Sequence, residues 1–150
     1  MTTQLSPHFT LQEFTVSTTA SQCGIDNTPT PEAMLNLEQL AMVMEQVRDI
    51  CGANPITITS GYRCEALNTA CGGADNSAHK YGLACDFIIP AFGEAIDVCL
   101  AVEPYMASLG IDQLIHEYND WTHLAIAIPV EAARCECLTI NNQGTQSGFV

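Results

Sequence analysis

Two short segments of this sequence carry side chains that could bind a metal ion. The first runs from Ser77 to Asp86 and reads Ser-Ala-His-Lys-Tyr-Gly-Leu-Ala-Cys-Asp. Gly82 lies between His79 and Asp86 and lets the chain turn, so that a histidine leaving a loop can face an aspartate on the next strand. The second segment starts at residue 121 and reads Trp-Thr-His-Leu-Ala-Ile-Ala-Ile, and the strand period of two places His123 on one face with small alanines.

Two histidines and one carboxylate are ligands typical of a catalytic zinc, which keeps its fourth position for water. Small neighbours on the same strand faces, Ala84 beside Asp86 and Ala125 beside His123, leave room for an ion. Each residue also has an ordinary structural explanation, because a single strand histidine or buried aspartate usually finds a hydrogen-bonding partner in the core. On spacing alone, both interpretations stay open.

The elements that would position these residues begin with a helix. Thr30 can cap this helix, Pro31 suits its first position, and apolar residues recur at near-helical spacing as far as Ile50. A second helix is predicted over residues 94–109, where Pro104 interrupts it or marks a junction. We interpret both helices as core-packing elements.

Four short strands are predicted, and two of them carry candidate ligands. They cover residues 56–59, 84–89, 113–118 and 121–128. The dipeptide Asn119-Asp120 favours a turn that joins the last two strands as a pair. Because the helices and strands do not alternate regularly, the sequence predicts an α+β fold with a small antiparallel sheet that carries the metal site, packed by two or three helices.

The length of 150 residues and a hydrophobic content of 47% predict one folded, monomeric domain. Its core is expected over about residues 5–130. Residues 1–30 are predicted to dock on this core. The polar segment that follows Arg134, from Asn141 onward, is predicted to fray.

The formal net charge of -13, with only four Lys and Arg, argues against binding to nucleic acid or to anionic membranes. No apolar run has the roughly 20 residues that span a bilayer. The start of the sequence has no basic and apolar signal segment, which predicts synthesis in the cytoplasm. The eight cysteines are therefore expected to be reduced, with Cys64 and Cys71 as the pair most able to form a disulfide.

The pattern Ser-x-His-x-x-Gly-x-Ala-x-Asp followed by Trp-x-His resembles the D-Ala-D-Ala carboxypeptidase and L-alanyl-D-glutamate endopeptidase family of zinc peptidases. This family shares its metal site with lysostaphin-type enzymes and the Hedgehog signalling domain. Residues 5–14 resemble the usual opening of its phage and bacterial branch. Ile58-Thr-Ser-Gly-Tyr-Arg63 followed by Asn68 resembles its arginine segment, and Asp112-Gln113 its penultimate strand. The resemblance covers residues 5 to 128.

The resemblance implies a role for each matched residue. It implies Zn²⁺ on His79, Asp86 and His123. Asp120, three residues before His123, matches the general base of the family. Arg63 matches the arginine that stabilises the substrate carbonyl as it becomes an oxyanion.

Other candidate residues keep two interpretations. Ser77 matches a residue that hydrogen-bonds at or near the metal. Glu117 is a rival to Asp120 as the base, or a bystander. His116 is either a partner of the ligands and substrate or an ordinary sheet histidine. Trp121 either shapes the substrate pocket or packs.

The implied function is that of an endolysin-like zinc peptidase that cleaves the peptide stem of peptidoglycan, with the L-alanyl-D-glutamate bond as the expected target. It would act on the cell wall in the periplasm, delivered by a holin, or as part of a virion. Two alternatives stay open. One is a D-Ala-D-Ala carboxypeptidase or dipeptidase, and the other is a non-enzymatic zinc module of a virion or signalling protein.

Overall fold

The computed structural model describes residues 2–150, and the strands in this part of the chain form two sheets. A two-stranded antiparallel sheet pairs β1 (Gln4–Ser6) with β2 (Phe9–Thr10). The strands of the second sheet are β3 (Thr57–Ser60), β4 (Ala84–Ile88), β5 (Ile111–Glu117), β6 (Trp121–Ile126), β7 (Glu136–Asn141) and β8 (Gly144–Ser147). Their order in the six-stranded sheet is β3-β4-β6-β5-β7-β8.

The helices of the described residues precede, separate and follow these strands. They are α1 (Leu11–Thr15), α2 (Thr18–Cys23), α3 (Pro31–Ile50), α4 (Glu65–Ala70), α5 (Ala95–Val102) and α6 (Met106–Leu109). Short 3-10 turns cover Ala78–Tyr81, Glu103–Tyr105 and Val130–Ala132. No helix in this part of the chain is long and apolar enough to cross a membrane.

The prediction of an α+β fold is confirmed, but the larger sheet is mixed rather than antiparallel. Strand β5 pairs antiparallel with β6 on one side and parallel with β7 on the other. The hairpin of β5 and β6 was predictable from the local turn at Asn119-Asp120. The parallel pair was not, because β7 reaches β5 through a connection whose residues carry no strand-pairing signal.

Helix boundaries follow the predicted local chemistry. Thr30 caps α3, since its Oγ1 accepts a hydrogen bond from the backbone nitrogen of Ala33 at 3.2 Å. The predicted second helix divides around Pro104 into α5, a 3-10 turn and α6. A proline inside a helix removes one backbone donor, which explains this division.

The prediction that the polar C-terminal segment frays is wrong. Strands β7 and β8 form an antiparallel hairpin, in which Asn141 pairs with Gly144. The side chain of Asn141 accepts a hydrogen bond from the backbone nitrogen of Gln143 at 2.8 Å, and this contact closes the turn. Polar residues suit such a strand pair because one strand of it, β8, is exposed to solvent along its whole length.

The chain divides into two compact units. One contains the described residues up to Glu45 together with Ser60–Cys85, and the other contains Gln46–Thr59 together with Asp86–Val150. The core of the first unit includes Phe9, Phe14, Leu37, Leu40 and Leu67. The core of the second includes Phe87, Ile89, Val98, Ile111, Leu114 and Leu124. That the whole chain is one domain stays a prediction.

Within the first unit, the opening segment is held by hydrogen bonds from later residues. The backbone nitrogen of Tyr62 donates to the carbonyl oxygen of Phe14 at 2.6 Å. The amide of Asn27 donates to the carbonyl oxygens of Thr15 and Tyr62 at 3.0 and 2.9 Å. The carboxylate of Glu45 accepts hydrogen bonds from the N-terminal strand region at 2.7 Å. These bonds agree with a docking role for the first 30 residues.

Cys64 and Cys71 stand at opposite ends of α4, as its N-terminal and C-terminal capping residues. The six helical residues between them place their Cα atoms seven steps, or about 10 Å, apart along the axis. A disulfide requires Cα atoms closer than about 7 Å. The expectation that this pair could form a disulfide is therefore wrong, and both residues are free thiols.

Candidate metal centre

His79 lies in the 3-10 turn Ala78–Tyr81, which ends at Gly82 in the left-handed conformation with a φ of 73°. A Cβ at Gly82 would meet the carbonyl oxygen of Ala33 at 2.6 Å, so this close turn requires glycine. The imidazole of His79 is buried, with 3% exposure. Its Nδ1 lies 2.7 Å from the carbonyl oxygen of Gly61. A carbonyl oxygen only accepts, so Nδ1 carries the proton and Nε2 keeps the lone pair that a metal requires.

Asp86 and His123 come from β4 and β6, which are neighbours in the sheet. Both side chains are buried, with 8% exposure each. The Nδ1 atom of His123 lies 2.9 Å from Oδ1 of Asp86. An ionised carboxylate in such a buried position requires a cation or hydrogen-bond donors beside it.

Within residues 2–150, His79, Asp86 and His123 make up the group of side chains that could hold a metal ion. One ligand atom from each of His79, Asp86 and His123 lies within 4.8 Å of the other two. Two imidazole nitrogens and one carboxylate oxygen are a donor set that zinc accepts, and they leave one position of a tetrahedron for water. The residues therefore fit a catalytic rather than a closed structural zinc site.

Arg63 is oriented by polar neighbours in its own segment. Its Nε donates to Oγ of Ser60 at 3.2 Å, and its Nη1 donates to Oδ1 of Asn68 at 3.3 Å. Asn68 is 2% exposed, and its amide nitrogen donates to the carbonyl oxygen of Ala74 at 2.9 Å. A Cβ at Gly73 would run into the Asn68 side chain. The buried amide of Asn68 thus links the loop after α4 to the guanidinium of Arg63.

Asn68 is a residue to which the sequence interpretation assigned no role. Its position five residues after Arg63, within the segment that resembles the zinc peptidases, was the available signal. A polar side chain in a six-residue helix is ordinary, and only the structure shows that its amide contacts both Arg63 and the loop.

Lys80 follows the candidate ligand His79 and is engaged within its own unit. Its Nζ donates to the carbonyl oxygen of Asp75 and pairs with the carboxylate of Glu65, both at 2.7 Å. The hydrogen bond with Glu65 raises the pKa of Lys80 above its usual value. Lys80 therefore stays cationic and helps to hold the loop that precedes His79.

Asp120 lies in the exposed turn between β5 and β6, and its backbone nitrogen donates to the carbonyl oxygen of Glu117 at 3.0 Å. Its side chain borders a cleft of about 220 Å³, whose other walls include Ile88, Ala95 and Thr122. Asp120 is thus exposed to water, whereas none of the candidate metal ligands lines this cleft. Its predicted role as the general base stays a prediction.

The register of β5 and β6 decides which neighbours share the sheet face of His123. Ile115 pairs with His123 and Glu117 pairs with Trp121, so these four side chains point to one face. His116 pairs with Thr122 and points to the other face. The register therefore does not favour the alternative in which His116 assists the metal ligands. Trp121 lies on the sheet face of His123, where it could shape a substrate pocket.

Trp121 and Ser77 have specific structural surroundings. The ring of Trp121 lies 5.5 Å from that of Tyr118, centroid to centroid, in a tilted arrangement. Ser77 precedes the 3-10 turn of His79, and its carbonyl oxygen accepts a hydrogen bond from the backbone nitrogen of Lys80 at 3.1 Å. Ser77 therefore stabilises the turn through its backbone. The predicted role of Ser77 at the metal stays a prediction.

Comparison with known proteins agrees with this site. The family model "Peptidase M15" matches residues 7–125, most of the chain. The chain belongs to the peptidase M15 family. A curated relative, a zinc D-Ala-D-Ala carboxypeptidase of Streptomyces albus G, is 30% identical over 86 residues. These residues are 55% of this chain and 32% of the relative, so the match spans about a third of that protein's length.

Membership in the peptidase M15 family confirms the family resemblance on which the sequence interpretation relied. Together with the buried donor group, it also confirms the predictions of Zn²⁺ as the cofactor and of a metallopeptidase class. The three candidate ligands lie in the matched range, as do Arg63 and Asp120.

Proposed function

We propose that this protein is a zinc-dependent peptidase that hydrolyses the peptide stems of bacterial peptidoglycan, with zinc on His79, Asp86 and His123. The observation that carries the proposal is the buried donor group in a member of the peptidase M15 family. The Streptomyces relative is a D-Ala-D-Ala carboxypeptidase, and this activity supports a wall peptide as the substrate.

The donor chemistry agrees with a catalytic ion. His79 is held by the Gly61 carbonyl through Nδ1, which fixes the tautomer that offers Nε2 to the metal. When bound, zinc supplies a Lewis acid that polarises the substrate carbonyl and lowers the pKa of water to about 7. The neighbouring residues then have to move protons and stabilise developing charge.

Asp120 is the proposed general base. Its exposed carboxylate would accept the proton of the attacking water and later return a proton to the leaving amine. Arg63 is the proposed stabiliser of the carbonyl oxygen as negative charge develops there. The contacts of Arg63 with Ser60 and Asn68 fix the guanidinium before substrate arrives, which reduces the cost of orienting it during the reaction.

Two bonds of the stem are candidates for cleavage. Our first candidate is the L-alanyl-D-glutamate bond, because residues 5–14 resemble the opening of the family's phage and bacterial branch, which suggests an endolysin-like enzyme. The second is the terminal D-Ala-D-Ala bond, which is supported by the activity in the relative's name. The same chemistry at the scissile carbonyl serves both bonds, so specificity depends on how the peptide is held.

Mass spectrometry of fragments released from purified peptidoglycan tests this proposal. Endopeptidase action would release stem peptides that begin with glutamate, whereas carboxypeptidase action would release free alanine. Zinc content is measured on the same samples, and a His123→Ala variant serves as the metal-free control. A zinc-loaded protein that cleaves neither wall preparations nor a D-Ala-D-Ala peptide would favour the non-enzymatic zinc module instead.

Delivery of the protein to its substrate is a further part of the proposal. Release through a holin, or attachment to a virion, would bring the protein to the wall. The net charge of -13 gives no attraction to anionic wall polymers, so a delivering partner would remove the need for electrostatic encounter.

A further inference from the structure

A polar cleft of about 260 Å³ opens within the second unit. It lies where strands β5 and β7 end. The cleft is lined by Val150 and by the side chains of His116, Tyr118, Asn119, Thr139, Asn141 and Asn142. Since His116 points away from the sheet face of His123, this cleft is separate from the proposed metal ligands of this unit.

No Asp, Glu, Lys or Arg side chain lines this cleft, although the protein carries a net charge of -13. The Thr139 hydroxyl already donates to the carbonyl oxygen of Gly148, and Oδ1 of Asn141 already accepts from Gln143. The Asn119 and Asn142 carboxamides, the amide nitrogen of Asn141 and the Tyr118 phenol are the groups that can bond to a ligand. Such groups give no charge complementarity to a phosphate, a carboxylate or a metal cation. They match a neutral ligand with many hydroxyl or amide groups.

His116 holds one of these carboxamides in place. Its Nε2 lies 3.1 Å from Oδ1 of Asn119. A carboxamide oxygen only accepts, so the ring donates from Nε2, and the amide nitrogen of Asn119 is left facing away from the ring. His116 is 5% exposed, and within residues 2–150 its Nδ1 is enclosed without a hydrogen-bonding partner. A buried acceptor without a partner lowers stability, so stability alone does not account for a histidine here.

An exposed aromatic ring stands beside the carboxamides. Tyr118 is 49% exposed, and Trp121 supports its ring at 5.5 Å. Tyr118 and Asn119 both adopt the left-handed conformation, with φ of 52° and 54°. Both angles belong to the tight turn that joins β5 and β6, which is closed by the hydrogen bond from the backbone nitrogen of Asp120 to the carbonyl oxygen of Glu117. The hairpin therefore places Tyr118 and Asn119 side by side at its tip. The apolar face of a sugar ring packs well on an exposed aromatic ring, whereas its hydroxyls bond to neighbouring amides.

From these observations we propose that the cleft binds a neutral N-acetylated sugar of the glycan strand to which the peptide stems are attached. The proposal rests on the proposed function, because only a wall substrate brings such a sugar to this protein. Tyr118 would contact the ring of the sugar, and Asn119, Asn141 and Asn142 would bond its hydroxyl and acetamido groups. Binding of the glycan would raise the local concentration of stem peptides near the protein.

Isothermal titration with a chitin tetramer, which contains N-acetylglucosamine alone, tests this site directly. We expect saturable binding by the wild type and a loss of about tenfold or more in affinity for Asn142→Ala and for Tyr118→Ala. Gln146→Ala is the matched control, because this exposed polar side chain of β8 lies outside the cleft lining. A wild type that does not bind the tetramer, or variants that all bind equally, would overturn the proposal.

His116→Leu separates a binding role from a structural one. The substitution removes the bond to Asn119 and also removes the unsatisfied Nδ1, so we expect an unchanged or higher melting temperature together with weaker binding of the tetramer. Unweakened binding in this variant would contradict the positioning role of His116. Cleavage of a sugar-free stem peptide is measured on the same wild-type preparation. Cleavage without tetramer binding rejects the sugar site alone, and localised tetramer binding without cleavage rejects the proposed peptidase instead.

Discussion

The imidazole of His79 donates its Nδ1 proton to the carbonyl oxygen of Gly61, 2.7 Å away. The same loop segment continues to Arg63, whose backbone nitrogen donates to the carbonyl oxygen of His79 at 3.1 Å. The candidate ligand and the candidate oxyanion stabiliser are therefore tied to each other through the backbone. A small displacement of this segment would disturb both functions.

The Gly61→Ala variant tests this backbone link between His79 and Arg63. A Cβ at Gly61 would meet the backbone of Phe14, with its Cα at 2.7 Å, so the segment must shift and carry the carbonyl partner of His79 with it. We expect zinc affinity to fall by about 10- to 100-fold, the usual effect of losing a partner that orients a ligand. Competition with a chromogenic chelator measures the affinity. Gly72→Ala is the control, because it adds a Cβ with no atom within 4 Å in a neighbouring loop. Equal affinities in the two folded variants would contradict the role of Gly61.

Removal of a proposed ligand should remove the metal. We expect about one zinc per wild-type chain, and a loss of most of it in His79→Ala and in His123→Ala, because two remaining protein ligands hold zinc poorly. His8→Ala and Cys135→Ser are controls that lie outside the donor group and should keep the ion. Elemental analysis of dialysed protein measures the content. Full occupancy in a His79 and His123 double variant would exclude this site.

The buried amide of Asn68 should matter for turnover through Arg63. In Gly73→Ala, the new Cβ would run into Oδ1 of Asn68 and lie 3.1 Å from Nη1 of Arg63. We expect kcat on a stem peptide to fall by about 100-fold, the usual effect of a displacement near 1 Å, with zinc content unchanged.

Gly72→Ala again offers a comparison, since it strains a φ of 70° in the same loop but contacts neither side chain. It should lower the melting temperature without a comparable loss of kcat. If Gly73→Ala turned over as fast as Gly72→Ala, the orientation of Arg63 by Asn68 would be irrelevant to the reaction.

Asp120→Asn tests the assignment of the general base. The substitution keeps the shape of the turn and removes the proton acceptor, so kcat should fall by about two to four orders of magnitude while zinc is retained. Glu117→Gln is the matched control, because Glu117 is an acidic residue three positions earlier on the sheet face of His123. Release of new amino groups from peptidoglycan measures both. An active Asp120→Asn beside an inactive Glu117→Gln would make Glu117 the base.

The ion pair between Asp112 and Arg134 gives a pH-dependent contribution to stability. The hydrogen bonds from Arg134, with Nη2 at 2.8 Å from Oδ2, hold the pKa of Asp112 below its usual value. A lowered pKa in the folded state stabilises the fold above the unfolded pKa of about 3.9, and this stability is lost as the pH falls through the folded pKa. Because Arg134 is largely exposed, solvent screening limits the contribution to about 0.5–1 kcal/mol.

Urea unfolding of Asp112→Asn and the wild type, at pH 7 and below pH 3, measures this contribution. The variant should be less stable than the wild type at pH 7, and the difference should shrink as the pH falls through the lowered folded-state pKa of Asp112. A difference that is the same at both pH values would show that the ion pair is not its source.

The sequence by itself was enough to propose the metal ligands and to predict much of the local structure. Turn and capping chemistry is local, which is why the start of α3 at Pro31, the division around Pro104 and the turn before Trp121 were all predictable. The ligand hypothesis depended on the spacing of His79, Asp86 and His123 and on a family resemblance that the comparison confirms.

Only the tertiary structure decided which side chains meet. The polar segment after Arg134 forms a hairpin because β7 pairs in parallel with β5, and parallel pairing depends on residues distant in sequence. The register of β5 and β6 turned His116 away from the face of His123, since a shift of one residue moves a side chain to the other face of a sheet. The contact of Asn68 with Arg63 is likewise visible only in the tertiary structure, because packing and not position in the chain decides the partners of an amide.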